Sequence, residues 1–146
     1  MHHTIDTVRK EEYQEILEVW EASVRATHHF LKEEDIAYFK PLILNTYLDL
    51  VELRCVRTND NHIIGFLGMS GQDLEMLFLH PDHIGKGIGK QLTHYAIKEH
   101  GIKRVDVNED NKEAAAFYQK MGFEIKSRSE LVPQGKPYPI LHMELK

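Results

Sequence analysis

Residues 77–90 of this 146-residue chain read Leu-Phe-Leu-His-Pro-Asp-His-Ile-Gly-Lys-Gly-Ile-Gly-Lys. The apolar run at the start predicts a β-strand, and the segment that follows the glycines has the periodicity of a helix. Glycine adopts positive φ and lets a backbone approach a bulky anion closely. Because a helix also directs its unpaired N–H groups and its positive dipole end towards the preceding loop, the stretch predicts a pocket for a phosphate or pyrophosphate.

Two common phosphate-binding loops do not match this pattern. A P-loop has four residues between its glycines and then Gly-Lys-Ser/Thr, whereas Gln91 follows Gly89-Lys90 here. A Rossmann fingerprint has the spacing G-x-G-x-x-G in the first βα unit, whereas Gly85, Gly87 and Gly89 alternate in the middle of the chain. A glycine-rich connection without a ligand is the plain alternative, although three glycines cost more backbone entropy than a turn requires.

A second strand-to-helix connection follows the first. Residues 105–111 read Val-Asp-Val-Asn-Glu-Asp-Asn, which predicts a short strand that ends in a polar cluster. Asn111 is a favourable N-cap for the next helix, and Gly122 is a normal residue just beyond a helix C-terminus. Phe123 then begins the next predicted strand.

These two segments resemble the signature motifs of the GNAT superfamily of N-acetyltransferases. The glycines of the superfamily motif Arg/Gln-x-x-Gly-x-Gly/Ala fall on Gly87 and Gly89, while Ile84 occupies the Arg or Gln position. The second signature, Asn-x-x-Ala-x-x-Phe-Tyr-x-x-x-Gly-Phe, matches at Asn111, Ala114, Phe117, Tyr118, Gly122 and Phe123. The resemblance implies the GNAT acyl-CoA N-acyltransferase fold, with acetyl-CoA as co-substrate and no metal.

The resemblance also implies where the acetyl donor binds. The expected cofactor-binding residues are Leu77, Phe78, Leu79, Gly85, Lys86, Gly87, Ile88, Gly89, Lys90, Asn111 and Tyr118. In the superfamily the matching asparagine commonly contacts the pantetheine arm, and the matching tyrosine usually protonates the leaving thiolate, which makes Tyr118 a candidate catalytic acid. A helix cap and a half-buried aromatic on an amphipathic helix are the structural alternatives for these two residues.

A base and an acceptor pocket complete the expected site. Glu75 is the candidate catalytic base, and strict side-chain alternation would place Asp73 on the same face of the strand. A solvated acidic strand face is the alternative for both. His28 and Tyr47 belong to the helical region that forms the acceptor pocket in this fold, and Tyr138 and His142 are weaker candidates for its wall.

The order of predicted elements agrees with the resemblance. An edge strand over 3–9 precedes a helix from Lys10 and a second helix over Glu33–Leu50, which Pro41 should end or kink. The remaining elements are strands over 52–58, 62–70, 73–80, 103–107, 123–131 and 138–145, helices over 87–100 and 111–121, and a loop over 132–137. This order predicts an α/β (α+β) fold with a mixed, mostly antiparallel sheet and helices on both faces, as one domain over 1–146.

Composition restricts the class of protein. The net charge of −5 argues against nonspecific binding to nucleic acid or to an anionic membrane. We expect no signal peptide or membrane span, and the lone Cys55 suits the cytoplasm. The ten histidines are scattered without metal-ligand spacing.

The sequence therefore predicts a cytoplasmic acetyl-CoA-dependent N-acetyltransferase that acts on a primary amine of a small molecule or peptide, as a monomer or homodimer. A non-catalytic acyl-CoA-binding or regulatory module is the main alternative. Thioester cleavage distinguishes the two, because such a module would bind acetyl-CoA without releasing CoA in the presence of amines. An unrelated nucleotide-phosphate binder is a third possibility, in which ATP would compete well with acetyl-CoA.

Overall fold

A computed structural model describes residues 4–130 and 138–146 of the chain. The helices are α1 (Tyr13–Thr27), α2 (Glu33–Asn45), α3 (Ile88–His100) and α4 (Lys112–Lys120). The strands are β1 (Ile5–Thr7), β2 (Glu52–Arg57), β3 (Ile63–Ser70), β4 (Asp73–Leu79), β5 (Arg104–Asn108), β6 (Phe123–Ser129) and β7 (Ile140–Leu145). Short 3₁₀ turns precede α1 and β2 and follow β4.

The described strands form one seven-stranded sheet in the order β1-β2-β3-β4-β5-β7-β6. Neighbouring strands in it are antiparallel except β4 and β5, which are parallel and pair only at Asp73↔Arg104 and Leu74↔Val105. The predicted mixed, mostly antiparallel sheet is confirmed. Because the pairing of β4 with β5 stops after two residues, the sheet opens in its middle.

Two hydrophobic cores cover the two faces of this sheet. The first core packs α1 and α2 against the sheet around Trp20, Leu48 and Phe66, and the second packs α3 and α4 around Leu67 and Leu92. Adjacent residues of β3 supply both cores because side chains alternate across a strand. Helices therefore lie on both faces, as predicted.

Cys55 is fully buried on β2, which pairs with the edge strand β1, and it belongs to the core on the α1/α2 side. Its thiol donates to the carbonyl oxygen of Thr7 at 3.8 Å. Burial raises the pKa of this thiol to about 11, so it is held in the unreactive protonated form.

The predicted second helix was wrong at its C-terminal end. α2 continues past Pro41 and ends at Asn45, and residues Tyr47–Leu50 form a separate 3₁₀ turn. Proline thus occupies the helix interior, and the chain leaves the helix where Thr46 adopts φ −132°. The loop predicted over 132–137 lies outside the described residues.

Across the ranges that the structure describes, we find no helix with both the length and the apolar character needed to cross a membrane.

Candidate active site

Three cavities meet where β4 and β5 separate. A groove of about 310 Å³ runs along the glycine-rich loop, and we call it the loop groove. A pocket of about 190 Å³ lies on the α1/α2 side and is lined by Trp20, Phe39, Tyr47 and Phe78, among others; we call it the aromatic pocket. A smaller junction cavity of about 90 Å³ lies between the two strands.

The loop groove combines an open backbone with a helix N-terminus. Gly85 and Gly87 both have φ +83°, and a Cβ built on either would meet no atom within 4 Å. Helix α3 begins directly after Gly87 without a side-chain cap, so the N–H groups of its first turn have no partner within the helix. This arrangement suits an anion such as a pyrophosphate.

Most of the predicted cofactor-binding residues line this groove. They are Leu77, Phe78, Leu79, Gly85, Gly87, Gly89, Lys90, Asn111 and Tyr118. Ile88 has its side chain fully buried in the α3/α4 core, so only its backbone could reach a ligand. Lys86 is exposed and is absent from the lining. Ile84 lines the groove and remains 46% exposed, so an apolar side chain stands at its mouth.

Tyr118 lies between the loop groove and the junction cavity. It is 6% exposed, and its ring contacts the rings of Phe117 and Phe123. Burial raises the pKa of its phenol, which therefore keeps its proton at neutral pH. Within residues 4–130 and 138–146 we find no hydrogen-bond partner for this hydroxyl, which leaves it available to a ligand in either cavity.

Glu75 lies at a β-bulge that the sequence does not reveal. Met69 pairs with Leu74 and Gly68 pairs with Met76, so Glu75 is passed over in the register with β3. The bulge interrupts the alternation on which the shared face of Asp73 and Glu75 was predicted, since Leu74 and Met76 pack into opposite cores.

The bulge places the Glu75 side chain at both the junction cavity and the aromatic pocket. Partial burial raises the pKa of Glu75, and the carboxylates of Asp73 and Asp106 add to the shift. Asp73 itself accepts a hydrogen bond from Arg104 at 2.7 Å and lines none of the three cavities. Glu75 is therefore the better placed of the two predicted carboxylates.

The acceptor-side predictions divide into two groups. Tyr47 and Tyr138 line the aromatic pocket, and the buried Tyr138 hydroxyl donates to the Asp35 carboxylate. His142 lies away from the three cavities, where Nδ1 is 2.7 Å from Asp106 and Nε2 is 2.6 Å from Ser129.

Two residues, Phe78 and His28, line all three cavities, and His28 is the polar one of the two. It is buried at the C-terminus of α1, and burial lowers its pKa to about 4, so its ring is neutral at physiological pH. Its Nε2 lies 3.4 Å from Nδ2 of Asn111, the N-cap of α4. Sequence reasoning missed this contact because it joins residues 83 positions apart.

In the part of the chain that the structure describes, we find no group of three or more His, Cys, Asp or Glu side chains arranged to hold a metal ion.

Comparison with known proteins identifies similar sequences. The acetyltransferase (GNAT) domain family matches residues 52–125. The peptidyl-lysine N-acetyltransferase YjaB of Salmonella typhimurium is 37% identical over 135 residues, which cover 92% of this chain and 92% of that protein. The peptidyl-lysine N-acetyltransferase YiaC of Escherichia coli is 32% identical over 122 residues, which cover 83% of each chain.

Solved structures show the same fold. The solution structure of apo-form YjaB from Escherichia coli has a TM-score of 0.89 at 35% identity and covers 99% of this chain and 97% of that one. The PaiA N-acetyltransferase of Thermoplasma acidophilum, in complex with coenzyme A, has a TM-score of 0.75 at 24% identity. The match covers 100% of this chain and 99% of that one. The second likeness concerns the fold alone.

Proposed function

Because the chain belongs to the GNAT superfamily of N-acetyltransferases, we propose that it transfers the acetyl group of acetyl-CoA to the side-chain amine of a lysine in a protein or peptide. Transfer of an acetyl group to an amine is common to the family and to the curated relatives. The lysine acceptor is supported by two relatives, at 37% and 32% identity, that are both peptidyl-lysine N-acetyltransferases. The observation that carries the proposal is the meeting of a phosphate-type groove and an aromatic pocket at one opening in the sheet.

The loop groove is the proposed donor site. The pyrophosphate would lie against the backbone of residues 85–90, where positive-φ glycines and the uncapped α3 N-terminus offer N–H donors. The pantetheine arm would follow β4 along Leu77–Leu79, because the separation from β5 leaves the edge of that strand unpaired there. Acetyl-CoA would thus bring its thioester to the junction cavity.

The aromatic pocket is the proposed acceptor site. Trp20, Phe39 and Phe78 would contact the aliphatic stem of a lysine, whose chain buries well against apolar surface. Glu75 lines both this pocket and the junction cavity, where a carboxylate attracts an ammonium. The pocket therefore favours an acceptor with a long apolar stem and a positive end.

The proposed reaction requires three actions from the chain. Glu75 accepts a proton from the acceptor ammonium, directly or through water, because only the neutral amine attacks the thioester. A backbone N–H of β4 near Leu77–Leu79 donates to the carbonyl oxygen as negative charge develops there. Tyr118, whose raised pKa keeps its phenol protonated, donates a proton to the departing CoA thiolate.

A CoA-release assay tests this proposal. The substrate is a short peptide with one lysine, and the matched control replaces that lysine by arginine; spermidine and free lysine complete the panel. We expect CoA release with the lysine peptide and acetylation of its side chain by mass spectrometry. Release only with small amines would contradict the lysine acceptor, and binding of acetyl-CoA without release in any sample would favour the non-catalytic module.

A further inference from the structure

A connected series of four hydrogen bonds joins α4 to α1 across the opening in the sheet. The Ala114 N–H donates to Asn111 Oδ1 at 3.2 Å, and Asn111 Nδ2 lies 3.4 Å from His28 Nε2. His28 Nδ1 lies 2.7 Å from Thr27 Oγ1, which in turn lies 2.8 Å from the Ser23 carbonyl oxygen. Since α1 and α4 pack on opposite faces of the sheet, this series connects the two sides of the candidate active site.

The direction of every bond in the series is determined by its ends. The Ser23 carbonyl only accepts, so the Thr27 hydroxyl proton is donated to it and Thr27 Oγ1 accepts from His28. His28 then carries its proton on Nδ1, and Nε2 holds a lone pair. At the other end Asn111 Oδ1 accepts from a backbone N–H, so the amide nitrogen of Asn111 faces His28 as a donor.

Neighbouring aromatic rings hold the His28 ring in position, in addition to the hydrogen bonds that determine its tautomer. Its centroid lies 5.3 Å from that of Phe30 and 6.2 Å from that of Phe78. The side chain is buried and neutral, so it is a poor proton acceptor for a lysine ammonium at physiological pH. These observations favour a role in orienting a neighbour over a role as the base.

We propose that His28 is a positioning residue that orients the Asn111 amide, so that the second amide N–H donates to a carbonyl oxygen of the acyl donor's pantetheine arm. This inference rests on the proposed function, because it needs an acyl-CoA in the loop groove. Asn111 lines that groove and the junction cavity, and its Oδ1 and one N–H are already engaged. Within the described ranges its second N–H has no partner, and the amide or thioester carbonyls of the arm are acceptors of the required kind.

The series also strengthens the donor that it positions. A group that accepts one hydrogen bond becomes a better donor in the next, and the effect is larger in a site of low dielectric. Asn111 accepts from Ala114 and donates twice, so its N–H bonds are polarised towards His28 and towards the groove. Loss of His28 should therefore affect the donor substrate more than the acceptor.

Long-range ¹H–¹⁵N NMR of the ligand-free protein tests the tautomer independently of any substrate. We expect His28 to carry its proton on Nδ1. Thr27→Val deletes the acceptor oxygen at Nδ1, so it should weaken this preference without reversing it, because Asn111 still donates to Nε2. A proton on Nε2 in the wild-type protein would overturn the inference, since Nε2 could not then accept from Asn111.

Calorimetry with CoA tests the positioning role. His28→Phe keeps a ring between Phe30 and Phe78 and removes both nitrogens, so CoA should bind about 3- to 10-fold more weakly, the size of one net hydrogen bond. His28→Gln should recover most of the affinity, because its side-chain oxygen can accept near the position of Nε2. His29→Phe, at the exposed neighbouring histidine, is the matched control.

A double-mutant cycle completes the test. Asn111→Ser keeps a helix cap but is too short to reach His28 or the groove, so it should weaken CoA binding at least as much as His28→Phe. The double variant should bind no more weakly than Asn111→Ser alone, because the two residues act through one contact. The inference would be overturned if the losses of CoA affinity in the two single variants multiply in the double variant. It would also be overturned if His28→Phe raises the peptide KM and leaves the CoA affinity unchanged. Absence of CoA binding by the wild-type protein would instead contradict the proposed function.

Discussion

At the scale of single residues, Gly87 and Gly89 differ although both match the same motif. Gly87 has φ +83° at the start of α3, whereas Gly89 lies inside the helix. A Cβ on Gly89 would make ordinary contacts with Leu79 at 3.6 Å and Phe117 at 3.7 Å. Glycine is therefore required at position 87 by the backbone conformation, whereas position 89 has room for a small side chain.

We predict opposite effects for alanine at these two positions. Gly87→Ala should lower the free energy of unfolding by about 1–2 kcal/mol, because L residues are strained at this φ. It should also weaken CoA binding, since its methyl group occupies the open groove. Gly89→Ala should raise the free energy of unfolding by about 0.5–1 kcal/mol through helix propensity. Urea denaturation and calorimetry with CoA check both variants, and equal behaviour of the two would contradict the assigned loop geometry.

Ile84 offers a test of the phosphate site that is particular to this chain. Ile84→Arg places a cation at the mouth of the loop groove, so CoA should bind more tightly by about 0.5–1.5 kcal/mol, and less so with added salt. Acetyl-pantetheine, which lacks the ADP part, should bind unchanged. A variant that tightens both ligands alike would show that the new side chain acts elsewhere than at the pyrophosphate.

Tyr118→Phe isolates the phenol hydroxyl. The ring remains packed against Phe117 and Phe123, so we expect little change in CoA affinity and a loss of turnover of about 10²-fold. The loss should be smaller with an acyl donor whose leaving group is a weaker base, since such a group needs less protonation. Steady-state kinetics with two donors provide the measurement, and identical losses for both would refute the role of acid.

At the scale of elements, an ion pair ties the turn before α1 to β2. Glu12 in the turn is 8% exposed and accepts hydrogen bonds from the Arg57 guanidinium and, at 3.0 Å, from the Arg9 N–H. The Arg57 contact lowers the pKa of Glu12 from 4.5 to about 2 in the folded protein. A carboxyl whose pKa is lower when folded stabilises the fold above its unfolded pKa.

This ion pair predicts a loss of stability in acid. As the pH falls from about 4.5 towards 2, the free energy of unfolding should decrease by at most about 3 kcal/mol through this group. Glu12→Gln should be less stable than wild type at pH 7, and the difference should narrow across that interval. Urea unfolding at several pH values measures it, with Glu11→Gln, whose side chain is 71% exposed, as the control. A difference that does not depend on pH would contradict the assignment.

The elements near the glycine loop could be predicted because their signals are local. Glycine spacing, an apolar run and an N-cap asparagine determine a strand, a loop and two helix starts within a few residues. The end of α2 was mispredicted because the apolar residues of the 3₁₀ turn Tyr47–Leu50 continue the helical pattern, whereas the break at Thr46 has no local signal such as glycine or proline. The bulge at Glu75 and the contact of His28 with Asn111 depend on partner strands and helices distant in sequence, so no local pattern reveals them.

At the scale of the whole molecule, the two cores share one sheet. Phe66 and Leu67 are adjacent on β3, both are fully buried, and they face opposite cores. Loss of packing on one face therefore weakens the strand that supports the other. We expect the described sheet and helices to unfold as one cooperative unit.

Leu92→Ala tests this cooperativity. Leu92 is fully buried on the α3/α4 side, so its truncation should cost about 2–5 kcal/mol. Trp20, the one tryptophan of the chain, lies in the core on the α1/α2 side and reports on that side by fluorescence. In Leu92→Ala, the urea midpoint measured by Trp20 fluorescence should shift as far as the midpoint measured by circular dichroism. A fluorescence midpoint that stays at its wild-type value would show that the two faces unfold separately.

Because Cys55 is fully buried, we expect its thiol not to react with reagents for free thiols while the protein is folded. CoA released in turnover can therefore be counted continuously with such a reagent, without a background from the enzyme. The same property makes Cys55 a probe of local opening, since its thiol lies in the core on the α1/α2 side and donates to the Thr7 carbonyl of β1. Slow labelling in the absence of substrates would thus measure how often the packing around this core residue separates.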